Sequence, residues 1–273
     1  MPTSRPPIPS DLLAAVVRGN PAAPLITSYD DATDERIELS ATTFANWVAK
    51  TANLLQEEFD VGPGSRVAVA LPVHWQTAAV LLAVWSCGAA VVDTAAEDDG
   101  RLADCDVVLA GQDRIAPLED SGLVGGDDGV PLLGLSLHPL GLGLRDYVGS
   151  ARDFAAEVRT AGDVFTPWQP VDPAAVGLVA GGLELTLGGL VETARELAGR
   201  LAIEAADRVL VEDRTAAETG PVAWLLAPLA AGASVVLSRH TLPNRLPRRA
   251  ETERVTATLG AVIVGVRELG RPG

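Results

Sequence analysis

The side chains that could carry catalysis or hold a metal are few and scattered. The 273 residues include one lysine, Lys50, two cysteines, Cys87 and Cys105, and three histidines, His74, His138 and His240. No histidine has an i, i+4 partner or a neighbouring carboxylate pair, so the spacing of a zinc or two-metal site is not there. The cysteines make neither a metal spacing nor a disulfide framework, and each sits beside apolar sequence, which reads as two small buried thiols. Gly134-Leu135-Ser136-Leu137-His138 lacks the closing glycine of a nucleophile elbow. No metal and no cofactor is expected.

The most informative stretch is Leu178-Val179-Ala180-Gly181-Gly182-Leu183-Glu184-Leu185-Thr186. A Gly-Gly pair between apolar runs signals a hairpin, because both turn positions tolerate positive φ. Ala175–Ala180 and Leu183–Thr186 are therefore expected as strands joined by a tight turn. Open α/β sheets place ligands in the crevice outside the carboxyl ends of their strands. That rule makes Gly181, Gly182, Thr186, Glu218, Gly220 and Trp224 the candidate ligand-binding residues. Each also has a plain structural role open to it: glycines for the turn, Thr186 as a helix N-cap, Trp224 as core.

These residues need elements to position them. Ser10 reads as the cap of a helix carrying Leu12, Leu13, Val16 and Val17. A hairpin follows, with arms Pro24–Tyr29 and Arg36–Leu39 and with Asp30, Asp31 and Asp34 in the turn. Ser40 then caps a long helix whose apolar positions include Phe44, Trp47, Val48, Leu54, Leu55 and Phe59. Strands at Arg66–Leu71, Ala89–Asp93 and Asp106–Ala110, with a helix at His74–Cys87, predict parallel βαβ units. A strand at Val130–Leu137 and a helix around Asp146–Arg159 come next.

The proline-rich segment Asp163–Pro173 is the best internal boundary. It predicts two α/β lobes, 1–165 and 166–273, packed as one unit. The second would hold helices near Leu187–Ile203 and Glu218–Ala231. Its strands fall at Ala175–Ala180, Arg208–Glu212, Ser234–Leu237, Val255–Leu259 and Ala261–Val266. The tail Arg267–Gly273 is expected to be loosely attached.

Composition narrows the function. Apolar residues make up 48% of the chain, enough for a substantial core. With 36 acidic and 21 basic residues the net charge is −15, a surface that repels polyanions. The densest basic cluster, Arg245, Arg248 and Arg249, is followed by Glu251 and Glu253, so nucleic acid is not an expected partner. Met1–Ser10 is polar and proline-rich with no apolar run, and no apolar stretch approaches the roughly 20 residues needed to cross a bilayer. A cytoplasmic protein without a membrane partner is expected.

Leu39-Ser40 through Val92 resembles the opening of acyl-CoA synthetases and related AMP-binding adenylating enzymes. The ordered features are Ala52-Asn53-Leu54-Leu55, Gly62-Pro63-Gly64-Ser65-Arg66-Val67-Ala68-Val69, Leu71-Pro72 and Ala83-Val84-Trp85-Ser86-Cys87-Gly88-Ala89. A second match runs from Leu185-Thr186 through Gly189-Leu190-Val191-Glu192-Thr193-Ala194. It continues through Asp207-Arg208-Val209-Leu210 and Trp224–Leu237 to Glu253-Arg254-Val255-Thr256. The resemblance implies an α/β fold of two βαβ-type lobes, like the amino-terminal part of the adenylate-forming fold.

What the chain lacks relative to that family shapes the functional expectation. The family carries a Ser/Thr/Gly-rich loop ending in proline-lysine, whose backbone N–H groups and cation hold ATP phosphates. Here a bare Gly181-Gly182 turn stands in its place, Lys50 cannot replace the loop lysine by position, and Glu184 would repel a triphosphate. The family's aromatic-histidine segment corresponds to Asp213–Gly220, which has Arg214, Glu218, Thr219 and Gly220 but no histidine. The chain also ends before the family's adenine- and ribose-binding motifs and its catalytic lysine. The resemblance therefore implies a truncated, non-catalytic relative, with no catalytic residue, acting as a ligand-binding or assembly scaffold. A homodimer or protein partner and a small acyl or nucleotide ligand are its expected associates. The alternative is an enzyme subunit whose adenylating site is completed by a partner chain.

Overall fold

The computed structural model describes residues 6–94 and 99–270. In chain order the strands are β1 (Pro24–Asp30), β2 (Glu35–Ser40), β3 (Arg66–Ala70), β4 (Ala90–Asp93), β5 (Val107–Gly111), β6 (Leu132–Leu135) and β7 (Arg152–Asp153). They continue with β8 (Val176–Ala180), β9 (Leu183–Thr186), β10 (Arg208–Glu212), β11 (Ser234–Arg239), β12 (Ala257–Leu259) and β13 (Arg267–Glu268). The α-helices are α1 (Pro9–Gly19), α2 (Ala41–Phe59), α3 (Trp75–Cys87), α4 (Gln112–Asp120), α5 (Phe154–Val158), α6 (Leu187–Arg200), α7 (Asp213–Pro221), α8 (Ala227–Ala231) and α9 (Leu246–Glu253). They divide between two compact units.

The first unit comprises Asn46–Pro72 and Ala79–Gly188, with the segment up to Ile8. Its sheet has the order β7-β6-β5-β3-β4-β8-β9, parallel throughout except for the terminal β8–β9 hairpin. β5 and β6 are buried along their whole length, the signature of a parallel sheet covered on both faces. Ala68, Val108, Ala110, Ile115 and Leu132 meet in its core. Every residue from Ala79 to Cys87 is buried, as expected for a helix that is apolar all round.

The second unit comprises Pro9–Ala45, Val73–Ala78 and Gly189–Gly273. Its sheet runs β13-β12-β10-β11-β1-β2, parallel except for the β1–β2 hairpin that the aspartate-rich turn closes. Leu210, Val236, Leu246, Ala250, Val255 and Ile263 form a core against it.

The division differs from the expected cut at residue 165. β8 and β9 join the first unit's sheet through β4, with Val91 opposite Leu178, so the first unit continues past the proline-rich segment expected as the boundary. Lys50, Asn53 and Gln56, three residues apart on one face of α2, hydrogen-bond its backbone from Ala161 to Trp168.

Other expectations shift for local reasons. The helix expected over Asp146–Arg159 shrinks to α5, because Glu119 accepts hydrogen bonds from Tyr147 Oη, Ser150 N–H and Ser150 Oγ and holds the preceding residues in a loop. The helix expected over Glu218–Ala231 breaks at Gly220, where φ is 74°, and resumes as a π-helical turn at Val222–Leu226 before α8. Helix α9, which the sequence reading omitted, opens with Pro247 in its first turn, where proline's missing N–H costs nothing. Ala261–Val266 forms no strand, and Arg267–Glu268 pairs with β12 instead of fraying. Residues 271–273 of the expected loose tail lie outside the described residues.

Candidate functional site

Of the six residues proposed from sequence, Gly181, Gly182 and Thr186 belong to the first unit and Glu218, Gly220 and Trp224 to the second. The first three bear on phosphate binding. Ala180 pairs with Leu183, so Gly181 and Gly182 are the entire loop, and their φ values of 53° and 88° are those of a two-residue turn that only glycine adopts without strain. A Cβ on either would meet nothing within 4 Å, so backbone conformation and not a close approach calls for glycine. Glu184, opposite Val179, is exposed and has no ion pair among the described residues.

Thr186 ends β9 and α6 begins at the next residue. A helix start offers unpaired N–H groups that can receive an anion. Here the first two are already taken: Leu187 N–H donates to Ala175 O at 2.9 Å and Gly188 N–H to Pro173 O at 2.8 Å. A Cβ on Gly188 would stand 3.2 Å from Pro173 O, which accounts for glycine at that position. The bare turn, the occupied donors and the nearby carboxylate do not fit a triphosphate.

In the second unit, Glu218 lies on an exposed face of α7 and pairs with Arg214 at 3.2 Å, an i, i+4 surface pair. Gly220 supplies the positive φ that ends α7. Trp224 is 3% exposed and lies in the π-helical turn, so it serves as core there.

Sequence reasoning missed a charged network on the six-stranded sheet. Glu253, at the end of α9, accepts from Tyr29 Oη at 2.6 Å, Arg36 Nε at 2.8 Å and Arg208 Nη2 at 2.7 Å. Burial alone would raise its pKa, but hydrogen bonds from Arg36, Tyr29 and Arg208 outweigh that and hold it at about 2. Arg208 also donates to Thr27 Oγ1 at 2.7 Å.

Nearby, Asp31 accepts from Arg249 Nη2 at 2.5 Å and from the Leu242 N–H at 2.8 Å. The Arg249 guanidinium lies 4.2 Å from the Tyr29 ring centroid. A groove of about 540 Å³ opens between the β1–β2 turn and α9, lined among others by Tyr29, Asp34, Arg36, Arg248 and Thr252. Glu253 and Asp31 are committed to internal partners, so the network ties the hairpin to α9 and offers no base or nucleophile. Its members come from separate stretches of chain, so no linear motif announces it.

His74 is 4% exposed and its Nδ1 accepts the Gln76 N–H at 3.3 Å. Burial, reinforced by the charge of Arg239, lowers its pKa to about 3, so it is neutral and only weakly basic at neutral pH. Among the described residues no group of histidine, cysteine and carboxylate side chains could hold a metal ion. No described helix is long and apolar enough to cross a membrane.

Two α/β units with these parallel-rich sheets define the amino-terminal part of the adenylate-forming fold. The anthranilate CoA ligase AuaEII, solved with anthranoyl-AMP, superposes with a TM-score of 0.74 at 15% identity, over 93% of this chain and 49% of that one. The N-terminal domain of FACL13 from Mycobacterium tuberculosis gives 0.68 at 16% identity, over 93% and 62%. An acyl-CoA synthetase of Brucella canis gives 0.70 at 16%, over 93% and 47%. The chain thus spans roughly half to three-fifths of these solved chains, and at such identity the likeness is one of fold.

No protein-family model matches the chain. A TIGR03089 family protein of Mycobacterium tuberculosis (strain ATCC 25618 / H37Rv) is 42% identical over 254 residues, 91% of this chain and 96% of that protein. This chain belongs to the TIGR03089 family.

Proposed function

We propose that this protein is a non-catalytic relative of the acyl-adenylate-forming enzymes that keeps their amino-terminal scaffold for binding or assembly. The observation that carries this reading is the two-residue Gly181-Gly182 turn between β8 and β9, the strand that leads into α6, together with the first N–H groups of that helix being spent on Ala175 and Pro173. Adenylation needs cations and preorganised donors around the phosphates, the term that usually dominates such catalysis. At this position the chain offers an exposed glutamate, and its one lysine is bound to Ala161 O.

The scaffold works, on this account, by association with another protein, in the cytoplasm. A thermal-shift titration with ATP and magnesium tests the phosphate-site argument. A ligand present at 100 times its Kd stabilises by about 2.7 kcal/mol. Millimolar MgATP is expected to leave the melting temperature unchanged, and a saturable rise that Glu184→Lys enlarges would contradict the proposal.

A further inference from the structure

The segment from Ala161 to Pro173 is held along α2 like a strap. Lys50 Nζ donates to Ala161 O, Asn53 Nδ2 to Gly162 O at 2.8 Å and Val164 O at 3.0 Å, and Gln56 Oε1 accepts the Trp168 N–H at 2.8 Å. Its backbone is fixed, yet two large apolar side chains on it stay out: Val164 is 80% exposed and Trp168 65%. Val171, by contrast, packs close to Gly88. Hydration of a tryptophan face is unfavourable, and a tryptophan on a prepositioned backbone loses little entropy when covered, which is why such residues concentrate binding energy at interfaces.

Apart from Lys50, bound to Ala161 O, and Arg152, paired with Glu58, the charged side chains around the strap are acidic. Asp163 and Asp172 lie within it and Glu57 and Asp60 at the adjoining end of α2. None of the four has an ion pair among the described residues, whereas Glu58 is paired with Arg152. The first unit as a whole holds 20 of the 36 acidic residues but only 8 of the 21 basic ones. An isologous contact with a second copy would set carboxylate against carboxylate here.

We propose that the strap is a docking surface for a basic protein partner, with Trp168 as the apolar anchor and the unpaired carboxylates of Asp163 and Asp172 receiving arginine or lysine side chains. This deepens and rests on the scaffold reading for its purpose, but the two fail separately: nucleotide turnover would remove that reading and leave the surface, and the binding test below would do the reverse.

The test is fluorescence anisotropy of a labelled peptide of alternating arginine and leucine, titrated with the full chain. A glutamate-leucine peptide is the control. The arginine peptide is expected to bind with an affinity that falls as salt rises. Trp168→Ala should weaken it about tenfold, and Asp163→Asn with Asp172→Asn should weaken it and flatten the salt dependence. Asp127→Asn with Asp128→Asn, elsewhere in the same unit, should leave it unchanged. Equal affinity in wild type and Trp168→Ala, or an equal loss in the Asp127/Asp128 control, would overturn the proposal. So would a dimer in sedimentation that Trp168→Ala dissociates, which would make the strap a self-interface.

Discussion

The Asn53 side chain donates to Val164 O at 3.0 Å while also holding Gly162 O at 2.8 Å, so one buried amide fixes two carbonyls of the strap. Removing it leaves carbonyl groups without their donor, at a cost of about 1–3 kcal/mol. Asn53→Ala should lower the unfolding free energy by that amount, read as a lower urea midpoint at unchanged m, and hasten proteolysis between Ala161 and Pro173. An unchanged midpoint with unchanged cleavage would show that the strap is held by something else.

Gly260 and Thr215 are a second tight pair. Gly260 has φ of 90°, and a Cβ there would come 2.5 Å from Thr215 Cβ. Gly260→Ala combines positive-φ strain with overpacking, so a loss of about 3 kcal/mol is expected in denaturant unfolding. Adding Thr215→Ala removes Oγ1 and Cγ2, the latter 3.0 Å from that Cβ, but keeps the Thr215 Cβ, so it should recover only part of the overpacking and none of the strain. Full recovery would mean that the backbone conformation at 260 carries no strain.

His74 sets an acid sensitivity. Its folded pKa is lowered from 6.5 to about 3, so the unfolded chain binds a proton that the folded chain refuses. This favours the folded state fully above the unfolded pKa and is lost as the pH falls below about 6.5, at about 1.4 kcal/mol per pH unit. His74→Gln should flatten the stability profile between pH 6.5 and 4. Parallel profiles for wild type and variant would refute this assignment.

Glu253 acts in a lower window. Its pKa is held down to about 2 against an ordinary 4.5, so its contribution is complete above about pH 4.5 and fades as the pH falls toward 2. Substituting Glu253→Ala removes the buried one of the two carboxylates that Arg36 and Arg208 share, the other being Glu38 at 2.9 and 3.2 Å. With Glu38 still in place the cost should be that of lost hydrogen bonds to a charged group, about 1.5–3 kcal/mol, and largest near neutral pH. A variant within about 0.5 kcal/mol of wild type would show the network to be dispensable.

The fold was legible where apolar runs and glycine signals are local. β3, β5, β10 and β11, the β1–β2 hairpin and the Gly181-Gly182 turn all stand where their sequences put them, because each depends on neighbours a few residues away. The allocation of β8 to the first sheet was not legible, since it rests on pairing with β4 across more than eighty residues. Pro167, Pro170 and Pro173 marked their segment as an internal boundary. The side chains that bind it, Lys50, Asn53 and Gln56, sit on a helix whose apolar pattern drew attention to its other face. The Glu253 network draws on β1, β2, β10 and α9, and only the fold brings those strands together.

The central claim is that the scaffold does not activate carboxylic acids, and exchange of labelled pyrophosphate into ATP tests it most directly. The purified full chain, with magnesium and a broad panel of acids, is predicted to give no exchange above the protein-free blank. Loss of even one preorganised donor commonly lowers such rates by about 10²–10³, and on the proposed reading the Gly181-Gly182 turn and Glu184 supply neither donors nor a cation there. Acid-dependent exchange that disappears in Thr186→Ala or Glu184→Gln would contradict the account and make the β8–β9 turn part of a working active site.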